Sequence, residues 1–538
     1  MSVSTRLSHR RSRRAAIGTG IAGLAAGPVL ASGAHARQQA TPAPEISPAS
    51  VEEAVNALDG IVTAMMDRTG VPGISVAIVH DDEPLATRGY GVANTETNAP
   101  VDADTIFQIA SLSKPISSTI VAGIVGDGAL SWDTPVVDHL PDFSLHEPWP
   151  TSQVTIADMF SHRSGLADHA GDVLEDMGYD RESVLHRLRY LRPEYSFRAG
   201  YAYTNFGLTA GAVAAARAAG QTWEEAAATR LHQPTGMTRT SSRFDEFINA
   251  DNRAATHVEI DGAWVPRYVR NPDAQSPAGG VSSTASDMAR WMRLQLGNGT
   301  LDGEEIIAAD ALAETRVPHS ISTPAGEPVG FYGLGWNVGL EPTGLRLSHS
   351  GAFALGAGTT VFLFPEDAFG VTVLTNGYPI GLAEAIALSV IDIARTGAVQ
   401  NDYLTLLAPT FAELVAPGYG RDVDGNPPAN PTPPRDLASY TGTWHNRYSG
   451  PIEIARDGDG LTIGMGPADD PDIYPLAHWD RDTFTYLPVG ENANVLAAVT
   501  FTIGADGLAS AVTVENLDRQ HQGTFRRDGR AGVEGRVS

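Results

Sequence analysis

Strand-like segments lie near both ends of residues 51–400, and a long section of predicted helices and loops separates them. These segments are residues 74–80, 85–92, 358–364 and 369–374. Each neighbouring pair flanks a short acidic turn, which is typical of a hairpin. Because the connection between the two pairs is largely helical, we predict one antiparallel sheet assembled from both extremities and covered by helices, an α/β (α+β) fold.

Lys114 is the only lysine among the 37 Lys and Arg residues of the chain. Arginine stays charged at any working pH, whereas a desolvated lysine can lose its proton and act as a base. Ser111 lies three residues earlier, at the start of a segment with the apolar period of a buried helix. Residues three apart share a helix face, so we predict that the Ser111 hydroxyl and the Lys114 amine meet. Ser-x-x-Lys by itself also fits a helix cap beside a surface charge.

Two further polar stretches contain candidate site residues. Tyr203 and Asn205 precede a predicted helix, and alternate residues of an extended stretch point the same way. The phenol could carry a proton and the amide could donate to a carbonyl group. His349 ends a predicted strand, two residues before Gly351. Taken singly, these patterns also fit structural roles, namely a core aromatic with a capping asparagine and a buried strand histidine.

Together the three motifs resemble, in order and rough spacing, those of the serine β-lactamase and penicillin-binding-protein superfamily. The nearest likeness is to its class C-like branch, which includes S12-type peptidases, carboxypeptidases and ester-cleaving members. Further stretches similar to family signatures are residues 161–166, 277–287 and 332–336. The resemblance covers residues 51–398 and implies a serine β-lactamase/transpeptidase-like fold.

The resemblance also implies a role for each residue. Ser111 would attack a carbonyl carbon and form an acyl-enzyme, while Lys114 and a partly ionised Tyr203 would carry its proton to the leaving group. Asn205 would hold a substrate amide. The backbone N–H groups of Ser111 and Ala352 would form the oxyanion hole. Whether Lys114 or Tyr203 is the general base stays open at this point.

One motif departs from the family pattern. Many β-lactamases and transpeptidases have Lys-Thr-Gly where this chain has His349-Ser350-Gly351, the stretch expected to line the substrate. A lysine there pairs with the carboxylate of a penicillin or a peptide C-terminus, but an imidazole with an unperturbed pKa near ~6.5 is mostly neutral at pH 7. We therefore predict a peptidase, either a carboxypeptidase or an aminopeptidase, for peptides that contain D-amino acids. Carboxylic-ester hydrolysis and β-lactam hydrolysis are the alternatives.

The N-terminus is typical of an export signal, with twin arginines, a mild apolar run and a small-x-small site ending at Ala36. We predict a twin-arginine-type signal peptide at residues 1–36, a linker at residues 37–50 and export to the periplasm or the medium. A membrane anchor is the alternative, but the apolar run at residues 15–30 is short and glycine-rich. No integral membrane segment is expected in the mature form.

Composition excludes several classes of function. The formal net charge of −26 argues against nucleic acid or anionic lipid as a partner. The sequence has no cysteine, which excludes disulfides, a thiol nucleophile and cysteine metal sites. We expect no cofactor and no metal, and a small peptide or ester as the substrate.

A separate module follows a predicted linker at residues 401–434, whose second half is rich in Pro, Gly, Asp and Asn. Residues 435–527 contain about eight short alternating stretches, which predicts a small up-and-down barrel. Residues 437–451 resemble the lipocalin-like domain attached to some members of the family, where it restricts access to the active site or mediates assembly. This implies a gated site or a homo-oligomer, with a spacer domain as the alternative. Residues 528–538 are a predicted tail.

Four other classes of protein fit less well. A pyridoxal-phosphate enzyme would also keep a single lysine, but Pro115 and the Ser, Tyr and His set do not suit that cofactor. A zinc hydrolase would need a His-x-x-x-His pair and an α/β-hydrolase a Gly-x-Ser-x-Gly turn, and the chain has neither. A penicillin-binding-type protein without turnover would be expected to have lost Ser111, Lys114 or Tyr203, and all three are present.

Overall fold

A computed structural model describes residues 46–323, 329–423, 426–491 and 495–527 of the protein. The predicted signal peptide at 1–36, most of the predicted linker at 37–50 and the predicted tail at 528–538 lie outside the described residues. Within the described residues, no helix is both long and apolar enough to cross a membrane.

The chain up to residue 414 builds a domain of helices and strands. Its helices are α1 (Pro48–Thr69), α2 (Ser113–Gly126), α3 (Pro148–Gln153), α4 (Ile156–Phe160), α5 (Asp172–Asp176), α6 (Arg181–Arg187), α7 (Asn205–Ala218), α8 (Trp223–Ala227), α9 (Phe244–Ile248), α10 (Ser276–Gly279), α11 (Ala285–Leu296), α12 (Ala309–Glu314), α13 (Leu382–Thr396) and α14 (Tyr403–Leu414). Its strands are β1 (Gly73–His80), β2 (Glu83–Asn94), β3 (Ala99–Pro100), β4 (Phe107–Gln108), β5 (Val258–Ile260), β6 (Ala263–Val265), β7 (Ser282–Ser283), β8 (Thr300–Leu301), β9 (Glu304–Glu305), β10 (Ser320–Ile321), β11 (Phe331–Tyr332), β12 (Asn337–Glu341), β13 (Gly344–Phe353), β14 (Ala357–Phe364) and β15 (Phe369–Thr375).

The central sheet joins strands from both ends of this domain. Its order is β10-β11-β12-β13-β14-β15-β1-β2-β3, and neighbouring strands are antiparallel. The first strand of the chain therefore lies beside the last strand of the domain, with Ile74 opposite Thr375 and His80 opposite Phe369. The predicted sheet assembled from both extremities is confirmed.

Both faces of β1 are buried, which explains its continuous apolar run. Successive side chains of a strand point to opposite faces. Val76 and Ile78 pack in a core with α1 and α13, whereas Ala77 and Val79 belong to the core on the other face, where α11 lies against β1.

Helix α2 runs through the interior, and its residues from Ser113 to Ile124 are buried. A 3-10 turn, Ala110–Leu112, precedes α2 and packs against β13. The pairing of β13 with β12 ends at Ser348, and the residues beyond it pair with β14 alone. One edge of β13 is thereby left beside the turn that contains Ser111.

The C-terminal module is a closed barrel in which each strand pairs with the next. Its strands are β16 (Gly442–Asn446), β17 (Gly450–Asp457), β18 (Gly460–Met465), β19 (Asp472–Asp480), β20 (Thr483–Tyr486), β21 (Ala497–Ile503), β22 (Ala509–Val514) and β23 (Thr524–Arg526). The barrel closes where His445 lies opposite Arg526. The buried rings of Tyr440, Phe484 and Phe501 pack against one another with centroids 4.7–5.9 Å apart. The predicted up-and-down barrel is confirmed.

Two predicted linkers contain helices. Within residues 401–434, α14 packs on α13 and buries Leu404 and Phe411. Within residues 37–50, α1 begins at Pro48 behind a capping box formed by Ser47 and Ser50. These parts of the two predicted linkers are therefore helical, because an apolar face of each helix packs on α13.

The barrel docks on the first domain beside α5. Tyr448 Oη accepts a hydrogen bond from Gly171 N at 2.8 Å. Arg519 Nη2 lies 3.3 Å from Asp168 Oδ2, and one continuous hydrophobic cluster contains buried residues of both domains. The barrel is thus in direct contact with the loop that leads into α5.

Candidate active site

Ser111 lies in a tight turn at the N-terminus of α2. The residue before it, Ala110, has a φ of 49°, a conformation that costs a non-glycine residue about 1–3 kcal/mol. Ser113 holds the turn, because its Oγ donates to Ala110 O at 2.6 Å and accepts from Val281 N at 2.9 Å. The Ser111 side chain is fixed there with 7% of its surface exposed.

The Nζ atom of Lys114 is fully buried and has three polar partners. They are Ser111 Oγ at 3.0 Å, Asn205 Oδ1 at 2.7 Å and Ala278 O at 2.9 Å. The two carbonyl oxygens can only accept hydrogen bonds, so two N–H bonds of the amine point at them. The remaining tetrahedral position points at Ser111 Oγ, with an N–H when Lys114 is charged and a lone pair when it is neutral. The proton that Lys114 can lose is therefore the one that faces Ser111.

Burial lowers the pKa of Lys114 to about 7, although the charge of Asp172 acts in the opposite direction. A large fraction of the amine is consequently neutral near pH 7. In that form its lone pair can accept the hydroxyl proton of Ser111, as a general base must. The predicted contact between Ser111 and Lys114 is present in the structure.

The phenol of Tyr203 contacts the same serine oxygen. Its Oη donates to Ser111 Oγ at 3.0 Å, and Lys114 Nζ lies 4.6 Å from the ring centroid. Burial raises the pKa of Tyr203 well above its ordinary value, and the charges of Asp172 and Asp168 raise it further. The expectation of a partly ionised Tyr203 is therefore wrong for the resting site, because the buried surroundings do not stabilise a phenolate.

Asn205, the first residue of α7, uses both ends of its side chain within the protein. Its Oδ1 accepts from Lys114 Nζ, and its Nδ2 donates to Asp172 Oδ2 at 3.0 Å. The structure thus places Asn205 in direct contact with Lys114. Its contact with a substrate amide stays a prediction.

His349 is buried on β13 and is neutral. Burial, and after it the charge of Lys114, lowers the pKa of His349 to about 3. Its Nδ1 lies 2.7 Å from the carbonyl oxygen of Ser350, which can only accept, so Nδ1 carries the ring proton. Its Nε2 therefore accepts from Tyr332 Oη at 3.0 Å. This position offers no cation to a substrate carboxylate, in agreement with the sequence prediction.

Gly351 brings the backbone of β13 against the turn that contains Ser111. A Cβ at this position would lie 2.4 Å from Ile109 O and 2.9 Å from Ser111 N, so a larger residue requires a backbone shift. Ala352 follows in the same strand, opposite Gly358 of β14. The structure therefore places the two segments that contain the predicted oxyanion donors, Ser111 N and Ala352 N, side by side.

Three contacts of the site were not predicted from the sequence. Ala278 O and Tyr332 Oη lie in stretches that the sequence marked only as similar to family signatures. Asp172 lies in the five-residue helix α5, and no motif pointed to it. Asp172 comes close to Lys114 only through the tertiary fold of the chain between α4 and α7.

The carboxylates near Lys114 are engaged by groups of the protein. Asp172 contacts Asn205 and His169, and Asp168 accepts a hydrogen bond from Tyr203 N at 3.1 Å. No group of three or more His, Cys, Asp or Glu side chains in the described part of the chain is arranged to hold a metal ion.

Comparisons with known proteins agree with this architecture. The family described as Beta-lactamase matches residues 58–394, and the Domain of unknown function (DUF3471) matches residues 426–527, the range of the barrel. The octameric penicillin-binding protein homologue from Pyrococcus abyssi has a similar fold, with a TM-score of 0.54 and 19% sequence identity. That similarity covers 86% of this chain and 98% of that chain.

Named relatives include hydrolases and penicillin-binding proteins. The chain is 25% identical over 497 residues to Unguisins hydrolase ungD of Aspergillus violaceofuscus, which covers 85% of this chain and 87% of the relative. It is 26% identical to Penicillin-binding protein 4 of Amycolatopsis lactamdurans over 71% of this chain and 95% of the relative. It is 30% identical to Esterase EstB of Burkholderia gladioli over 40% of this chain and 57% of the relative. With the family match spanning more than half of its length and a Ser–Lys–Tyr set at the expected positions, the protein belongs to the beta-lactamase family and is a serine hydrolase.

Proposed function

We propose that this serine hydrolase is an exported peptidase that cleaves amide bonds in D-amino-acid-containing peptides through an acyl-enzyme on Ser111. The observation that carries the proposal is a Ser111–Lys114–Tyr203 set in mutual contact beside a neutral His349. Such a site suits acyl transfer to serine but gives little attraction to a carboxylate next to the scissile bond. We therefore favour an aminopeptidase or an internal peptidase over a carboxypeptidase or an efficient β-lactamase.

Acylation would begin when neutral Lys114 takes the hydroxyl proton of Ser111 and Oγ attacks the carbonyl carbon. The charge that develops on the carbonyl oxygen would be stabilised by Ser111 N and Ala352 N, at about 3 kcal/mol per donor in other hydrolases. Neutral Tyr203 would give its phenolic proton to the leaving nitrogen as the C–N bond breaks. Lys114 would then pass the proton that it took from Ser111 to Tyr203, leaving an acyl-enzyme in which Lys114 and Tyr203 are both neutral.

Deacylation would use the same groups in the reverse direction. A water molecule would take the place of the departed amine, and Lys114 would accept one of its protons while the oxygen attacks the acyl carbon. The Ser111–acyl bond would then break, and Ser111 Oγ would recover a proton from Lys114. Each cycle thus consumes one water and leaves Lys114 and Tyr203 as they began.

Support for a substrate other than a β-lactam comes from two directions. Burial keeps His349 neutral, and Tyr332 and the Ser350 carbonyl already use both of its ring nitrogens. A relative that matches 85% of this chain is named Unguisins hydrolase. Ester hydrolysis is the second candidate, because the match to Esterase EstB has 30% identity.

The test compares matched substrates with the purified protein. D-alanine 4-nitroanilide, its L-enantiomer, a D-alanine ester and benzylpenicillin would be supplied in turn, with Ser111→Ala as the control for each. We expect amide turnover that prefers the D-enantiomer and disappears in Ser111→Ala. Turnover of the ester alone would replace the proposal with an esterase, and activity that survives in Ser111→Ala would refute acylation on this serine.

A further inference from the structure

Asp172, at the start of α5, lies directly behind the base of the site. The residue is 4% exposed, and its Oδ2 accepts from Asn205 Nδ2 at 3.0 Å. The same oxygen lies 2.7 Å from His169 Nδ1. The other oxygen, Oδ1, is buried and has no hydrogen-bond partner in the protein. Neither Asp172 nor His169 takes part in the proton transfers described above.

The contact with Asp172 decides which end of the Asn205 amide faces the base. A carboxylate only accepts hydrogen bonds, so it selects the NH₂ end of Asn205. The carbonyl end is then directed at Lys114 Nζ, 2.7 Å away. An amide turned the other way would direct two N–H groups at an amine that needs an acceptor. The lone pair of Lys114 would no longer be restricted to the position that faces Ser111.

Asp172 is also the negative charge that acts on Lys114. Its charge raises the pKa of the amine, against the larger effect of burial. Tyr203, His162 and His349 also lie around the amine. Burial raises the pKa of Tyr203 and lowers the pKa values of His162 and His349, so these three side chains are neutral near pH 7. Asp168 and His169 lie further from the amine, in contact with Tyr203 N and Asp172.

We propose that Asp172, oriented by His169, is a positioning residue that fixes the Asn205 amide and sets the pH range in which Lys114 acts as the base. The path of contacts runs from His169 to Asp172, then through Asn205 to Lys114. This inference rests on the Ser111–Lys114 chemistry of the proposed function and is independent of its peptide substrate.

The test uses two variants with separate expected effects. Asp172→Asn keeps the size of the side chain and one acceptor oxygen but removes the charge. Its profile of kcat/KM against pH should shift its acidic limb downward by about one pH unit, because removing a nearby opposite charge lowers the pKa of an amine. Asp172→Ala removes the acceptor as well, so kcat on the plateau should fall about tenfold or more with KM within about twofold.

Asp180→Asn is the matched control. This carboxylate caps α6, where it accepts a hydrogen bond from Ser183 N at 2.8 Å, and the acidic limb of this variant should stay where the wild type has it. An acidic limb in Asp172→Asn within about 0.2 pH units of the wild type would overturn the proposal. So would a fall in kcat/KM of Asp172→Ala that comes from KM alone. If Asp172→Ala fails to fold, the shift in Asp172→Asn decides the question.

4-Nitrophenyl acetate is the substrate for these measurements. An activated ester reports acylation of Ser111 whether or not the protein cleaves D-peptides. Loss of the D-alanyl amidase result would therefore refute the proposed function and leave this inference standing. An unshifted acidic limb would refute this inference and leave the peptidase proposal untouched.

Discussion

The rate of acylation should rise with pH across the range in which Lys114 loses its proton. Burial places the pKa of this amine at about 7, and only the neutral form can accept the proton of Ser111. The neutral fraction is then about one-tenth at pH 6, one-half at pH 7 and nine-tenths at pH 8. We therefore expect kcat/KM at pH 8 to exceed that at pH 6 about tenfold, because this ratio reports groups of the free enzyme.

The assay is the hydrolysis of 4-nitrophenyl acetate from pH 5 to pH 9, with Ser111→Ala as the blank at every pH. Lys114→Arg is the informative comparison, because arginine keeps the cation but cannot lose its proton. This variant should lose about 10²- to 10⁴-fold in kcat/KM, the usual contribution of a general base, and should show no acidic limb near pH 7. A wild-type profile that is flat from pH 6 to pH 8, or a Lys114→Arg variant with more than a tenth of the activity, would refute the assignment of the base.

Three further outcomes follow from single contacts. Gly351→Ala should lower kcat about 100-fold or more, because its Cβ would lie 2.4 Å from a backbone oxygen, whereas Gly464→Ala in the barrel, with no atom closer than 3.9 Å, should change kcat little. Tyr448→Phe should lower the free energy of unfolding by about 1–3 kcal/mol in denaturant titrations, because it leaves the buried N–H of Gly171 without its acceptor. The pKa of Lys114 is 10.5 in the unfolded chain and lower in the folded protein, so the folded state releases this proton first as the pH rises. The free energy of unfolding of the wild type should therefore rise relative to that of Lys114→Met by up to about 1.4 kcal/mol per pH unit between pH 7 and 10.5. A difference between the two proteins that stays constant over this range would contradict the buried amine.

The fold was predictable where local pattern and tertiary structure agree. The hairpin segments alternate or run apolar as strands do, and their pairing across about 290 residues followed from the helical nature of the chain between them. The barrel followed from eight regularly spaced alternating stretches. Helix α14 was missed because Pro409 and the proline-rich stretch after it suggested a linker, while its burial depends on contact with α13.

The site was predictable as far as its residues lie in motifs. Ser111 lies in the 3-10 turn that leads directly into α2, three residues before Lys114, so their contact follows from the spacing of a continuous helical segment. The neutral state of Tyr203 was missed because it depends on burial, which no spacing reveals. Asp172 was missed for a similar reason, since it lies 33 positions before Asn205 and meets it only when the intervening chain, which includes α6, has folded back.

The barrel contacts two segments of the first domain that lie close to the site. On one side of Ser111, Tyr448 and Arg519 of the barrel hold the loop that contains Gly171 and Asp168. That loop leads into α5 and its Asp172, and Asp168 accepts a hydrogen bond from the backbone N–H of Tyr203.

On the other side, Glu491 of a barrel loop accepts hydrogen bonds from the backbone N–H groups of Ala354 and Leu355, directly after the strand that contains Ala352. The barrel therefore contacts the loop that leads to Asp172 and the segment that directly follows the strand of Ala352. A spacer domain would need neither contact. Because a shift of about 1 Å in the positions of reacting groups can cost about 10²-fold in rate, loosening of either contact should lower kcat before it unfolds the protein.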